Sequence, residues 1–375
     1  MSKDVFKKLA KHLDNLPGGF PSTESGVEIR ILHRLFTEEE AKLAVHLLLI
    51  PEEASAIAKR AGLTAEEAAS RLEDMAKKGL ISRYHPKGRK PKYMAAQFVI
   101  GIWEYHVNDL SPELIKDMDE YMPHLLDVKV WKKTPQLRTI PVGQSISVKH
   151  EVMAYENAEQ LIRSHKRFLV APCICRRERT MMGEGCDKPE EMCLIMGGAV
   201  HYYEENGLGR LINLDDALAL LKEADKEGLV ISPSNAKKIA NICFCCGCCC
   251  GVLCTIKKHP KPAEIVSSPF NVSYDPSSCK GCGVCIDRCQ MDAIKPDGDK
   301  IVVNLDRCIG CGLCITTCPT ESFVLERKPE TKQTEVPGSL RQTYIKLARE
   351  RGKLNFIRLA GLWLRFKMKN LSARK

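Results

Sequence analysis

No segment of this chain approaches the roughly 18 apolar residues that a membrane-spanning helix needs. The longest candidate, Ala44 to Ile50, is far too short. The opening residues, Met1 to Lys8, lack the apolar stretch of a secretory leader. Neither a G-x-G-x-x-G nor a Walker loop is present, so no nicotinamide, flavin or nucleotide site is readable and a self-contained oxidoreductase is not expected. Cysteine is missing before Cys173 and after Cys318, yet the chain of 375 residues holds 19 of them. An odd total is a poor start for a disulfide framework. With no export signal, thiols this dense are expected to ligate metal in a reducing, anaerobic cytoplasm.

The net charge of +10 has one location. Residues 339–375 carry eleven Lys or Arg against Glu350, and the remainder is neutral in sum. Only the tail has to explain the basic character.

The length suits two or three domains. Residues 1–36 are a weakly helical N-terminal segment broken by Pro17-Gly18-Gly19. Thr37 then caps a helix whose first turn holds Glu38, Glu39 and Glu40, where the helix dipole favours acids. Leu43, His46, Leu47 and Ile50 follow at helical spacing, and Pro51 stops the run. The pattern continues with a helix over 52–61 ended by Gly62, a third from Thr64 to Lys78, a strand over 80–84, a basic turn and a strand over 92–99. Over 37–99 this order resembles a winged helix-turn-helix domain. The boundaries expected beyond it are a cysteine-rich middle domain over 100–256, a linker over 257–278, a cluster-binding domain over 279–327, a linker over 328–339 and a tail over 340–375. Asn157 is expected to cap a helix reaching His165, and a further helix is expected over 215–227.

Cys279, Cys282, Cys285 and Cys289 have the spacing C-x2-C-x2-C-x3-C, and Cys308, Cys311, Cys314 and Cys318 repeat it 29 residues later, followed by Pro319. Over 275–327 this resembles the bacterial ferredoxins with two [4Fe–4S] clusters. Three cysteines two residues apart wrap one face of a cubane, and Gly281, Gly283, Gly310 and Gly312 let the backbone approach its sulfurs. The fourth cysteine, expected to begin a helix leading away, ligates the other cluster. On that rule Cys279, Cys282, Cys285 and Cys318 hold one cluster, and Cys308, Cys311, Cys314 and Cys289 the second. Gln290 stands where the second repeat has Pro319, which costs a stiff turn but no ligand. Zinc, which takes one closed set of four ligands, does not explain the tandem.

The other eleven thiols are Cys173, Cys175, Cys186, Cys193, Cys254 and the run Cys243, Cys245, Cys246, Cys248, Cys249 and Cys250. Adjacent cysteines point in different directions, so the run is expected to serve two sites from opposite faces. Cys173, Cys175, Cys186 and Cys193 are one candidate set, completed from the run, for one or two more iron–sulfur clusters or for a zinc ion. Arg176, Arg177 and Arg179 would stabilise thiolates there. The Cys-Cys-Gly triplets at 245–247 and 249–251 are similar to those of heterodisulfide reductases, without that family's other spacings. Through Ala171-Pro-Cys-Ile-Cys-Arg176, Gly185-Cys-Asp-Lys-Pro189 and Asn241-Ile-Cys243 the chain resembles large 4Fe–4S binding proteins of anaerobic bacteria, which implies a dedicated redox site in the middle.

The expected fold class is α+β and multidomain: winged helix, cysteine-rich middle, ferredoxin-like domain and basic helical tail. Arg83, Lys87, Arg89, Lys90 and Lys92 would suit phosphate on the wing, but Glu66, Glu67, Glu73 and Asp74 oppose it on the recognition helix. Docking to protein is therefore expected ahead of DNA. In the tail, Arg358, Arg365 and Lys369 edge an apolar arc that includes Trp363 and Phe366, a pattern for an anionic membrane surface at the inner face, for a partner subunit or for the chain's own body. The function expected is electron transfer between redox partner proteins. A redox-sensing transcription regulator and an oxidoreductase subunit with a catalytic middle cluster are the alternatives.

Overall fold

Thr37 acts as its place before three glutamates predicts. In the computed structural model, which describes residues 2–86, 88–145 and 153–353, its hydroxyl accepts from the Glu40 amide at 3.2 Å while its own amide donates to the Glu40 carboxylate at 2.8 Å. This capping box starts the helix Glu38–Ala44. The helix ends six residues before Ile50, because Leu47 turns inward to full burial and Leu48 accepts a hydrogen bond from the Ala95 amide. Glu52–Glu53 is a two-residue strand, β1, rather than the start of a helix. Arg60 holds it there, gripping both oxygens of Glu52 at 3.1 and 2.6 Å. Helices Ala54–Ala61 and Ala65–Lys77 follow, then β2 (Ser82–Tyr84) and β3 (Lys92–Met94). The sheet is antiparallel in the order β1-β3-β2. β3 stops at Met94, short of 99, as Ala95, Ala96 and Phe98 turn into the core.

The first 36 residues are part of that core. Helices Ser2–Asp14 and Val27–Leu35 bury Phe6, Leu9, Ile31 and Leu32. Arg30 and Arg34 pair with Asp117 of the helix Pro112–Leu125 at 3.1 and 2.7 Å. The same apolar cluster continues into Leu169, Ile195 and Val200, so no solvated boundary falls at residue 100.

The middle of the chain is built on a five-stranded antiparallel sheet of β4 (Phe168–Ala171), β5 (Cys193–Met196), β6 (Arg210–Ile212), β7 (Val230–Pro233) and β8 (Asn241–Cys245). Its order is β6-β4-β5-β8-β7. Asn157 caps a helix over Ala158–Arg163, and Asn213 caps one over Leu214–Lys226, close to expectation. Ile242 and Phe244 point to one buried face of β8, which leaves Cys243 and Cys245 together on the other.

The expected linker over 257–278 holds a strand. β9 (Phe270–Tyr274) pairs in antiparallel register with β12 (Phe323–Arg327), and β10 (Ile294–Asp297) pairs with β11 (Lys300–Val303). Phe270 and Val272 are buried, so a period of two was present between the prolines. Past Pro337, the helix Leu340–Glu350 lies on the body, where the Thr343 hydroxyl donates to the Asn235 carbonyl at 2.5 Å. Arg351 and Lys353 reach Asp14 at 2.9 and 2.5 Å. Those ion pairs hold the Asp14 carboxyl below its ordinary pKa against the opposing effect of burial. The basic arc from Leu354 onward and Lys87 lie outside the described residues. Among the described residues no helix is long and apolar enough to cross a membrane.

Candidate metal centres

Two short helices, Val284–Arg288 and Leu313–Thr316, follow left-handed Gly283 and Gly312 in the two repeats. The fourth cysteine of each repeat ends or follows its helix instead of beginning one: Cys289 is the C-cap of the first, and Cys318 comes two residues after the second. The chain needs that short turn to swing the fourth sulfur away from its own loop. Cys289 lines one cavity with Cys308, Cys311 and Cys314, roofed by Val272, Ile294 and Ile309. Cys318 instead joins Cys279 and Cys282 as a charge neighbour of Cys285, whose thiol is pushed up to about 11 by burial first and then by their negative charge.

The surroundings of these sulfurs suit an anionic cluster. Backbone amides donate to them: Gly281 to Cys279 at 3.3 Å, Ala293 to Cys289 at 3.2 Å and Ser322 to Cys318 at 3.4 Å. Such donors tune a cluster's potential. The Tyr274 hydroxyl is buried beside the Cys279 thiol, with Cys285 as a further electrostatic neighbour. The glycines serve the backbone more than the sulfurs. All of Gly281, Gly283, Gly310 and Gly312 have φ between 66° and 77°. A Cβ on Gly281 would collide with the Asp299 carbonyl oxygen, and one on Gly310 with that of Phe270.

The eleven remaining thiols sort into groups the spacing did not separate. Cys193 and Cys243 face each other across β5 and β8. Sulfur contacts continue from Cys243 to Cys245, from Cys245 to Cys250, from Cys250 to Cys175 and from Cys175 to Cys173. Cys173 and Cys250 are N-caps of the helices Ile174–Met181 and Gly251–Lys257, so both positive helix ends point toward this six-thiol group. Contacts with neighbouring sulfurs, then burial, raise Cys173, Cys243 and Cys245 well above the ordinary thiol range. A cation bound here must release protons.

Cys186 does not join Cys173, Cys175 and Cys193. It sits with Cys246, Cys248 and Cys249, all four sulfurs within 4.8 Å of one another. The run therefore divides by direction, with Cys243, Cys245 and Cys250 to one group and Cys246, Cys248 and Cys249 to the other. Cys250, the last of the run, is given to the first group by its place as N-cap of the helix that begins directly after it. Cys254 stands apart and donates to the Gly247 carbonyl at 3.4 Å.

Arg176 lies between the groups, 2% exposed, donating to the carbonyls of Pro189 at 3.0 Å and Phe244 at 2.8 Å. Its Nε has no partner, and its charge neighbours are Cys173, Cys246, Cys245 and Cys186. Burial raises the pKa of Cys246, but Arg176 and neighbouring donors outweigh it and bring the thiol to about 7. Arg177 and Arg179 are engaged elsewhere, with Glu190 and with Asp119 and Glu184. Gln290 links the two cysteine-bearing regions, its side-chain oxygen accepting from the Gly247 amide at 2.6 Å.

Residues 271–333 match a family model described as a 4Fe-4S dicluster domain. No curated protein and no solved structure matches the chain. The match begins inside β9, as the strand pairing requires. The chain is an iron–sulfur protein with a ferredoxin-type 4Fe-4S segment in its C-terminal part.

Proposed function

We propose that this chain is an electron-transfer protein, with Cys279, Cys282, Cys285 and Cys318 ligating one [4Fe–4S] cluster and Cys308, Cys311, Cys314 and Cys289 a second. The observation that carries the reading is the interleaving, in which Cys289 lines a cavity with the cysteines of the other repeat. Bound there, each cluster supplies a one-electron carrier. The residues do the rest: amides of Gly281, Ala293 and Ser322 hold negative charge at the sulfurs, and Ile294, Ile309 and Val272 keep water from the second site. The six-thiol group extends the reading to a further cluster in the middle domain, seated at two helix N-termini. Electrons would come from and go to other proteins, since no nucleotide or flavin motif is present.

Residues 37–94 have the order of a winged helix, and the proposal gives them a docking role. Arg83 supports that choice over DNA. Its side chain is 3% exposed and paired with Glu73 and Glu205, so it is not free for phosphate.

Anaerobic purification with iron and acid-labile sulfide analysis tests the electron-transfer reading. About eight irons per chain are expected from the ferredoxin segment alone, and more if the six-thiol group is filled. Cys289→Ser should remove the cluster of the second loop, leaving one isolated paramagnetic signal after reduction. A variant that kept both clusters would end the crossed assignment, and a chain holding no iron after reconstitution would end the proposal.

A further inference from the structure

The quartet Cys186, Cys246, Cys248 and Cys249 is built to a different scale from the other thiol sites. Among the described residues it is the one group of potential ligands whose donor atoms all lie within 4.8 Å of one another. Cys249 Sγ is 3.5 Å from Cys186 Sγ and 3.7 Å from Cys248 Sγ. A single tetrahedral ion with metal–sulfur bonds near 2.3 Å sets its sulfurs about 3.8 Å apart. A cubane holds its four thiolates on four separate irons and so spreads them farther. The ferredoxin cysteines provide the internal yardstick, for no set among them closes to this distance.

We infer that Cys186, Cys246, Cys248 and Cys249 bind one thiophilic ion, zinc or iron, in a mononuclear tetrathiolate site that is separate from every cluster in the chain. The loop geometry is made for it. Gly247 carries no Cβ because one would strike the Gln290 carbonyl oxygen, and Gln290 clamps the Gly247 amide from its side chain. The turn thus held sends Cys246 and Cys248 to the same side as Cys249, while Cys250 turns back toward the six-thiol group. Charge agrees with this. Arg176 is buried with no carboxylate in ion-pairing reach among the described residues, and Cys186 and Cys246 are two of its charge neighbours. A buried guanidinium without an anion is costly, and a metal-held thiolate set supplies one. The ion would tie the 246–249 loop to the Gly185–Pro189 segment and keep Gln290 in register.

Iron–sulfur clusters of the cubane type contain iron and sulfide in equal number, so a mononuclear site shows as metal in excess of sulfide. In the full chain, purified without air, zinc plus iron minus acid-labile sulfide should come to about one per chain. Cys248→Ser should bring the difference to about zero with sulfide unchanged, whereas Cys254→Ser should leave it at one. Whether the excess is zinc or iron identifies the ion, and either supports the site. Cobalt exchanged into the wild-type chain should give the absorption of a tetrahedral thiolate, a readout that needs no variant to fold. Metal equal to sulfide in the wild type, or sulfide lost together with metal in Cys248→Ser, overturns the inference.

Discussion

Gly281 and Gly283 share the same backbone demand, with φ of 68° and 76°, but not the same surroundings. A side chain at Gly283 meets nothing closer than 4.0 Å, whereas one at Gly281 runs into the Asp299 carbonyl. Gly283→Ala should therefore cost only the left-handed penalty, about 1–2 kcal/mol. Gly281→Ala adds a backbone displacement and should lose most of the first cluster, read as a drop toward half the ferredoxin iron. Equal iron in the two variants would show that the Asp299 approach is not limiting. Glu178 makes a second residue-scale prediction. Burial raises its carboxyl to about 7 against the Trp103 indole, which donates to it at 2.9 Å. Its folded pKa exceeds the unfolded one, so the unfolded chain binds fewer protons between about 4.5 and 7 and stability falls as pH rises through that window, by up to about 3 kcal/mol. Glu178→Gln keeps an acceptor for the indole and should flatten the dependence of Tm on pH from 5 to 8. Identical profiles would refute it. The 4Fe-4S segment was legible because its tandem cysteine repeat is a matter of local spacing. The partition of Cys186 from Cys173 was not, because a strand register and a loop between distant segments decide it.

At the scale of the element, caps and breakers were readable and short strands were not. Thr37 and Asn157 act within three residues of themselves, so their helices could be placed from composition. β1 is two residues long and exists through Arg60 and β3, neither of which is adjacent in sequence. β9 was hidden among prolines, yet it walls the cavity that Cys289, Cys308, Cys311 and Cys314 line: Val272 is 4% exposed and faces into it. Its backbone amide also lowers the Cys308 pKa, opposing the larger effect of burial. Val272→Asp places a charge in that apolar wall, where an unpaired carboxylate costs several kcal/mol. The variant should lose about four irons while the signal of the other cluster survives. Retention of full iron at neutral pH would mean that β9 is dispensable to the site.

Across the whole molecule the ferredoxin segment is seated on the middle domain by contacts that no periodicity announces. Val142 donates from its amide to the Cys311 carbonyl at 3.0 Å, Arg327 pairs with Glu156 at 2.5 Å, and Gln290 holds Gly247. Arg288 does most at one point. It donates to the carbonyls of Asp225 and Lys226 at 2.5 and 2.7 Å and meets the Asp225 carboxylate at 3.1 Å, closing the C-terminal end of the helix Leu214–Lys226. A cation there satisfies carbonyls the helix leaves open and complements its dipole. Hydrogen bonds to a charged group contribute about 1.5–3 kcal/mol each, less where water competes. Arg288→Ala should therefore release the seat without touching any ligand. Hydrogen exchange at residues 225–228 should speed up by at least tenfold while iron and sulfide content stay at wild-type values. If exchange there is unchanged, the two regions are held by their shared apolar core alone, in which Ile309 and Leu313 of the ferredoxin segment pack with Phe244 and Leu253.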